Sequence, residues 1–260
     1  MTVTRFADPD LGARLADIVE EAARLILPLW KSGLEVIAKA DESPVTEADR
    51  RGEALILERL AEAFPDTPVL GEEHCSDHGA PDRIGAIFFA VDPLDGTKAF
   101  VRGDPSFTVN IGLIDAGRPV AGAVNAPATA ETWFTGLGGA WKRVGGSATH
   151  RICARPWNTG DAVALVSHSM KPEAQAALKA EFGVSLTLPM DSSIKLCRIA
   201  EGEADIYVRR GPTMEWDIAA GHAVLAAAGG RLTTPEGDPF LYGKAAAGFR
   251  NGPLIARGAA

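Results

Sequence analysis

Residues 84–91, Ile-Gly-Ala-Ile-Phe-Phe-Ala-Val, carry no polar side chain and run directly into Asp92-Pro93-Leu94-Asp95-Gly96-Thr97-Lys98. An apolar run of this length, bounded by acids, reads as a strand covered on both faces, and such a strand needs a layered molecule around it. It is far too short to cross a bilayer. The strand delivers two carboxylates three residues apart, a hard-oxygen donor pair suited to Mg²⁺. Gly96 and Thr97 stand where a helix can begin and offer backbone N–H groups to an anion. A metal site beside a phosphate site describes a phosphoryl-transfer centre. The competing reading of the same residues is an Asx-Pro turn capped by Asp95.

Acids recur at the ends of other apolar elements. An amphipathic helix opens around Thr46, with Asp49 three residues on as an imperfect capping box and Ala48, Leu55, Ile56, Leu60 and Phe64 as its apolar face. Asp49 lies seven residues before Ile56 and so points to the buried edge, where a carboxylate needs a partner. Gly71-Glu72-Glu73 closes the short strand Val69-Leu70, and Trp216-Asp217 opens an Ala-rich helix. An aspartate at a helix start commonly just caps it, and a Glu pair in a loop is commonly solvated. Taken with Asp92 and Asp95, these acids form a set at the ends of buried elements.

The rest of the chain supplies the layers. A first helix follows Asp8-Pro9, read as an N-cap and an N1 proline, with Leu11, Leu15, Ile18, Val19, Ala22 and Ile26 at helical spacing; Pro28 ends or kinks it near Leu27. From residue 69 to about 144 the pattern is one of short strands. Phe107, Val109, Ile111 and Leu113 alternate with Thr108, Asn110 and Gly112, which predicts a half-buried strand. Turns at Asp115-Ala116-Gly117-Arg118-Pro119 and Gly136-Leu137-Gly138-Gly139 predict an antiparallel meander. Gly145-Gly146-Ser147 marks a boundary between an N-terminal α+β subdomain, residues 1–145, and a C-terminal α/β subdomain, residues 146–260. In the latter, strands at 162–166 and 206–208 alternate with helical patterns at 172–182, 192–201 and 216–228. The Ala-rich C-terminal tail is expected to fray.

Charge and cysteine usage narrow the function classes. With 34 acids against 26 bases the chain carries a net charge of −8, so its surface repels nucleic acid, and a small anionic substrate must be met by local cations or metals. Cys75, Cys153 and Cys197 are widely spaced and odd in number, which argues against a disulfide framework. The first ten residues hold two aspartates and no apolar run, unlike a signal peptide, and the protein reads as cytoplasmic with no integral membrane segment. His74-Cys75-Ser76-Asp77-His78 reads as an exposed loop; the competing His/Cys metal cluster lacks a second ligand pair. There is no Walker A, G-x-G-x-x-G or G-x-S-x-G pattern. Ser167 and His168 are sequence neighbours in an extended segment, so they do not face each other as a nucleophile and base would. His222, on the helix after Asp217, reads as packed.

Asp49 in Ser-Pro-Val-Thr-Glu-Ala-Asp, Gly71-Glu72-Glu73, Asp92-Pro93-Leu94-Asp95-Gly96-Thr97 and Trp216-Asp217-Ile218-Ala219-Ala220-Gly221 resemble, in order and spacing, the motifs of the inositol monophosphatase superfamily. The resemblance implies a layered αβαβα sandwich, the sugar phosphatase fold. It also implies Mg²⁺-dependent, lithium-sensitive hydrolysis of phosphomonoesters with two to three ions per site. By resemblance Glu72, Asp92 and the Leu94 carbonyl hold one ion, and Asp92, Asp95 and Asp217 a second. Thr97, paired with Asp49, and Glu72 act on the attacking water. The metal site belongs to the first subdomain and the specificity elements to the second.

Within the superfamily the flanking residues are most similar to the 3′(2′),5′-bisphosphate nucleotidases of sulfur metabolism, which dephosphorylate 3′-phosphoadenosine 5′-phosphate. Lys39-Ala40-Asp41-Glu42-Ser43-Pro44-Val45-Thr46, Phe107-Thr108-Val109-Asn110-Ile111, Ser192-Ser193-Ile194-Lys195-Leu196-Cys197 and Gly211-Pro212-Thr213 carry that likeness. The implied substrate contacts are Asp95, Gly96, Thr97, Ser167, His168, Ser192, Ser193, Lys195, Arg209 and Asp217. Lys195 beside Ser192 and Ser193 reads as an anion site, with Arg209 and Arg210 as a second positive wall. A homodimer and a peripheral place at the inner membrane face are compatible with the resemblance. Inositol phosphate or histidinol phosphate hydrolysis on the same scaffold is the alternative, and a non-catalytic metal- or nucleotide-binding regulator a more remote one.

Overall fold

A computed structural model describes residues 8–32, 37–38, 44–157 and 160–260. Residues 39–43, part of the nucleotidase-like stretch, lie outside the described residues, as do residues 1–7. The chain forms an αβαβα sandwich. Its first sheet holds seven strands in sequence order: β1 (Val69–Gly71), β2 (Ile87–Asp95), β3 (Thr108–Asp115), β4 (Arg118–Ala126), β5 (Glu131–Gly136), β6 (Gly139–Val144) and β7 (His150–Ile152). β1 and β2 run parallel and every later pair is antiparallel. After the turn at Gly145-Gly146-Ser147, β7 returns to pair with β6 before the chain moves on.

One face of this sheet is covered by α1 (Leu11–Ile26) and α2 (Glu47–Ala63), packed through Leu15, Ile26, Ile56, Phe89, Val91 and Ile111. α1 begins two residues later than its proline suggests. Asp8 and Pro9 form a turn in which the Asp8 carboxylate accepts the Asp10 N–H at 2.9 Å, and helical residues start at Leu11. Pro28 converts the helix end into a 3₁₀ turn over Leu27–Leu29, as its missing N–H requires.

The opposite face is covered by α6 (Ile194–Ala200) and α7 (Glu215–Ala227), so β3 is buried on both sides rather than half-exposed. Its polar residues are therefore interior ones: Thr108 and Asn110 are fully buried, and Asn110 donates to the Ser193 hydroxyl at 3.3 Å. A second sheet of five strands, in the order β9-β8-β10-β12-β11, closes the middle layer. These are β8 (Ala162–Val166), β9 (Val184–Pro189), β10 (Ile206–Arg209), β11 (Arg231–Thr233) and β12 (Leu254–Arg257), and α5 (Pro172–Phe182) covers the outer face. The C-terminal tail does not fray. β12 lies between β10 and β11, and the backbone then bonds Gly258 N–H to Asp205 and Ala259 N–H to Arg155. No helix among the described residues is long and apolar enough to cross a membrane.

α7 reaches the sheet closely because β3 and β4 present glycines to it. A Cβ on Gly112 would stand 2.8 Å from Ala219 backbone and side-chain atoms, and one on Gly122 would stand 2.8 Å from the Ala220 carbonyl oxygen. Those distances leave no room for a methyl group, and the approach sets the depth of the helix that carries Asp217. Gly112→Ala is expected to cost about 1–3 kcal/mol in chemical denaturation through overpacking. An unchanged denaturation midpoint would show that this contact is slack.

Candidate active site

Four of the acids singled out in the sequence, Asp49, Asp92, Asp95 and Asp217, are each fixed by a backbone donor. The Asp92 carboxylate accepts the Leu94 N–H at 3.0 Å as β2 passes Pro93. Asp95 accepts the Ser193 N–H at 2.6 Å, a bond that spans the two sheets' territories. Asp217, in the first turn of α7, accepts the Met214 N–H at 2.7 Å, and its own carbonyl oxygen accepts the Ser193 hydroxyl at 2.6 Å. Asp49 closes the capping box at the start of α2, where the Thr46 N–H and hydroxyl both donate to its Oδ2 at 2.7 Å. Its Oδ1 is 3.2 Å from the Thr97 hydroxyl, which also lies 3.1 Å from the Leu94 carbonyl oxygen. Between Asp95 and Thr97 the chain must turn into α4 (Thr97–Arg102). Gly96 does so at φ +93°, where a Cβ would stand 2.8 Å from the Ser106 carbonyl oxygen.

These turns face one cavity of about 870 Å³. Glu72, Asp95, Gly96, Thr97 and Asp217 line it, and so do Ser167, His168, Ser192, Ser193, Lys195 and Arg209. Asp92 stands behind the wall at 1% exposure, with Asp49 joined to the cavity through Thr97. Burial, followed by the charges of Glu72, Asp95 and Asp217, pushes the Asp92 carboxyl well above the usual carboxylate range. Asp217 is raised by burial and then by Asp95 and Glu72. Asp95 is raised by burial, against the pull of Lys195 and the Ser193 donors.

Among the described residues no three His, Cys, Asp or Glu side chains are already closed into a metal-holding group. The carboxylates converge on one space without closing on one point, as uncompensated like charges do. Their chemistry nonetheless fits a hard divalent cation. The donors are oxygen only, the neighbouring backbone N–H groups add no net charge, and a cation would remove the repulsion that raises their pKa values.

The structure corrects three expectations. Lys195 is not a free ammonium at a helix mouth. It is buried, its Nζ donates to the Ser192 carbonyl at 2.7 Å and the Met190 carbonyl at 3.2 Å, and burial lowers its pKa to about 8. Ser192 has φ +58°, so Lys195 also holds a left-handed turn that a serine does not favour. Arg210 pairs with Glu181 outside the cavity, leaving Arg209 alone of the two on its wall. Residues 72–78 form a helix, α3 (Glu72–His78), rather than a loop; Cys75 is buried, and the His74 and His78 rings stack at 4.7 Å with no metal group formed. His222 is packed as expected, bonded to the Tyr242 hydroxyl at 2.9 Å and lowered to about 4 by burial.

Sequence reasoning misses Asp191, Arg250 and Glu53. Asp191 lies on the cavity wall and accepts from Ser167 at 3.2 Å and Arg102 at 3.1 Å, with the His168 ring 3.1 Å away. Arg250 reaches the wall through the pairing of Thr213–Met214 with Arg250–Asn251. Both come from segments without motifs, and only the fold brings them in. Glu53 did leave a signal, four residues after Asp49 and so on the same helix face. It is buried, and burial pushes its carboxyl up to about 7 despite two backbone N–H donors, with Glu73 and Glu72 adding to the rise.

A model of the inositol monophosphatase family matches residues 6–257. The chain belongs to that family. Its enzymes are metal-dependent phosphatases, usually with Mg²⁺. The 3′(2′),5′-bisphosphate nucleotidase CysQ of Escherichia coli (strain K12) is 41% identical over 212 residues, 80% of this chain and 83% of that protein. A histidinol-phosphatase of Mycobacterium tuberculosis (strain ATCC 25618 / H37Rv) is 33% identical over 242 residues, 91% of this chain and 90% of that one. Among solved structures, CysQ from Bacteroides thetaiotaomicron, a bacterial member of the family, matches with a TM-score of 0.79 at 32% identity, covering 98% of this chain and 99% of that chain.

If the acids repel one another in the metal-free protein, removing one charge relaxes the fold. Asp92→Asn keeps the oxygen that accepts from Leu94 and deletes the most enclosed negative charge. Its metal-free form is expected to melt a few degrees above the parent in calorimetry, each kcal/mol gained being worth about 2–4 °C at this size. Turnover with Mg²⁺ is expected to fall by about a hundredfold or more, the scale of losing a principal electrostatic group. A lower melting temperature for the metal-free variant would show that the charges are not in conflict.

Proposed function

We propose that this cavity releases the 3′-phosphate of 3′-phosphoadenosine 5′-phosphate, giving AMP and phosphate. The chain is a 3′(2′),5′-bisphosphate nucleotidase on the strength of its likeness to the CysQ proteins. The observation that carries the choice of substrate is that one cavity presents both carboxylates and fixed cations. Glu72, Asp95 and Asp217 line it together with Lys195, Arg209 and Arg250. A substrate with two phosphates matches both: one phosphate sits where cations gather on the carboxylates, and the second meets the fixed cations. A histidinol phosphate substrate, the activity named for the Mycobacterium tuberculosis relative, carries a protonated amine that this wall would repel.

Two to three Mg²⁺ ions would be held by Glu72, Asp92, Asp95, Asp217 and the Leu94 carbonyl. Bound there, they lower the pKa of the attacking water and stabilise the departing oxygen. The chain's own groups do the rest. Thr97 orients the water, and its hydroxyl takes the water's proton while passing its own to Asp49, which is 3.2 Å away. The water oxygen bonds to phosphorus as the bond to the 3′-oxygen breaks, in line, and that oxygen is protonated from solvent. Gly96 and Thr97 place backbone N–H groups at the start of α4, toward the phosphate oxygens on which charge builds. Glu72 contributes on the water's side of the cavity. Ser167, His168, Ser192 and Ser193 line the same cavity and would hold the nucleoside part. The small molecule is the only partner this chemistry calls for.

Thr97→Ala and Asp49→Asn are each expected to lower kcat by about 10²–10⁴-fold with little change in KM, as general-base groups do. Their double variant should be no slower than the slower single. Multiplicative losses would show that the two do not act as one unit.

Arg209→Met tests the fixed cations of the wall. It should raise KM for 3′-phosphoadenosine 5′-phosphate by about ten- to hundredfold, one charge-assisted contact of about 1.5–3 kcal/mol. Adenosine 3′-monophosphate, which lacks the second phosphate, should change by less than about threefold on the same reasoning. Equal losses on both substrates would remove the nucleotidase assignment and leave the family.

A further inference from the structure

Glu53 is a buried carboxylate with no place in the chemistry above, yet it sits between two elements that do have one. It lies one helical turn after Asp49 on α2, 4% exposed. Across the gap its Oε2 accepts the Glu73 N–H at 2.8 Å and its Oε1 the His74 N–H at 2.6 Å. Both donors belong to the first turn of α3, the turn that begins with Glu72. β1 is shaped to allow this: a Cβ on Gly71 would stand 2.8–3.0 Å from the three atoms of the Glu53 carboxylate. α2 is pressed equally close on its other side, where a Cβ on Gly52 would meet Ile26 at 2.8 Å and Pro93 at 3.3 Å. Two residues without side chains thus let one helix touch the strand ahead of Glu72 and the turn that follows Asp92.

Burying a carboxylate among other acids is costly, and its two N–H bonds could be supplied to α3 by a neutral cap. A fixed anion at this point does something a neutral cap does not. It takes both N–H groups at once, with two oxygens in a rigid plane, and so fixes the direction in which α3 leaves β1. We infer that Glu53 is a positioning residue for the metal site: it clamps the first turn of α3 and thereby sets the position of the Glu72 carboxylate relative to Asp92. α2 would then govern two parts of the centre from one face, the proton acceptor through Asp49 and the first metal ligand through Glu53. The inference rests on the proposed reading of the site as a Mg²⁺ centre.

The test is Mg²⁺ binding to the full chain, followed by titration calorimetry and by the Mg²⁺-induced rise in melting temperature, alongside kinetics. Glu53→Gln keeps the size and one acceptor but turns an NH₂ toward the second donor. It should weaken Mg²⁺ binding by about 10–100-fold, the usual effect of disturbing the groups that orient a metal ligand. At saturating Mg²⁺, kcat should stay within a few-fold of the parent. Gly71→Ala removes no carboxylate but displaces that of Glu53 through the added methyl, so it should weaken Mg²⁺ binding in the same direction. The double variant should be no weaker than the worse single. If Glu53→Gln does not fold, Gly71→Ala decides alone. Parent-like Mg²⁺ affinity in the folded variants, with only a lowered melting temperature, would overturn the inference and leave Glu53 a helix cap. A parent protein that binds no Mg²⁺, or whose binding is indifferent to Asp92→Asn, would instead overturn the reading of the site itself.

Discussion

The mutual repulsion of buried carboxylates is the condition around which the rest of this molecule is arranged. Burial disfavours the charged forms of Asp92 and Asp217 first, and the charges of Glu72 and Asp95 disfavour them further. The anchors of Asp92, Asp95, Asp217, Asp49 and Glu53 all include backbone N–H groups. Backbone dipoles hold an oxygen in place without cancelling its charge, so each carboxylate stays oriented and still attracts a cation. An arginine in any of those positions would satisfy the acid and close the site to metal. Lys195 comes nearest to doing so, and two carbonyl oxygens hold its ammonium.

A repulsive cluster has to be assembled by forces from elsewhere. One of the Asp95 anchors comes from Ser193, at the head of α6, nearly a hundred residues later in the chain. The site is therefore complete only when α6 docks on the first sheet. An enclosed ion cluster sits at that joint. Lys142 on β6 bonds Glu131 on β5 at 2.7 Å and Glu201 after α6 at 2.6 Å, while Arg198 on α6 bonds the same two acids at 2.7 and 2.5 Å. Trp133 adds its indole N–H to Glu201 at 3.0 Å. Two cations and two anions balance one another there. A buried pair of this kind contributes little net stability over apolar packing, but it penalises any other register of α6 against the sheet. Apolar residues drive the layers together, and the ion cluster fixes where the helix head stops.

Much of this was legible in the sequence, because the acids sit at the ends of elements with strong periodicity. The apolar run 84–91 located β2, the alternation around Val109 located β3, and helical spacing located α2 and α7. What periodicity cannot show is which face a neighbour will cover. Thr108 and Asn110 read as solvent-facing, because alternation with apolar residues means exposure unless a second layer arrives, and α6 and α7 are that layer. Residues 72–78 read as a loop because they are polar. They are helical because Glu53, from another helix, supplies the cap that their own sequence lacks. Asp191 and Arg250 were invisible for the same reason: their role comes from sheet pairing and turn geometry, not from a local pattern.

The mixed lining of the cavity also reconciles a chain of net charge −8 with the anionic substrate proposed for it. The global field repels phosphate, so binding has to be won within a Debye length of about 8–10 Å. In the proposed reading, the excess negative charge of Glu72, Asp95 and Asp217 gathers divalent cations, so the acids that repel the substrate are also the reason it can bind. The cavity's own cations are fixed in the fold, and only some of them would be available to substrate. Lys195 is committed to the Ser192 turn and Arg102 to Asp191, whereas the Arg209 Nη2 makes one long bond to the Pro212 carbonyl at 3.3 Å. Asp191 in turn occupies His168 and Ser167, which keeps those groups oriented instead of leaving them to bind phosphate. Under the proposed nucleotidase reading, discrimination between one phosphate and two would therefore rest on Arg209, which lines the cavity with Arg250. The buried Lys195 acts chiefly on the turn that presents Ser193 to Asp95, coupling the cationic wall to the acidic centre through a single short loop.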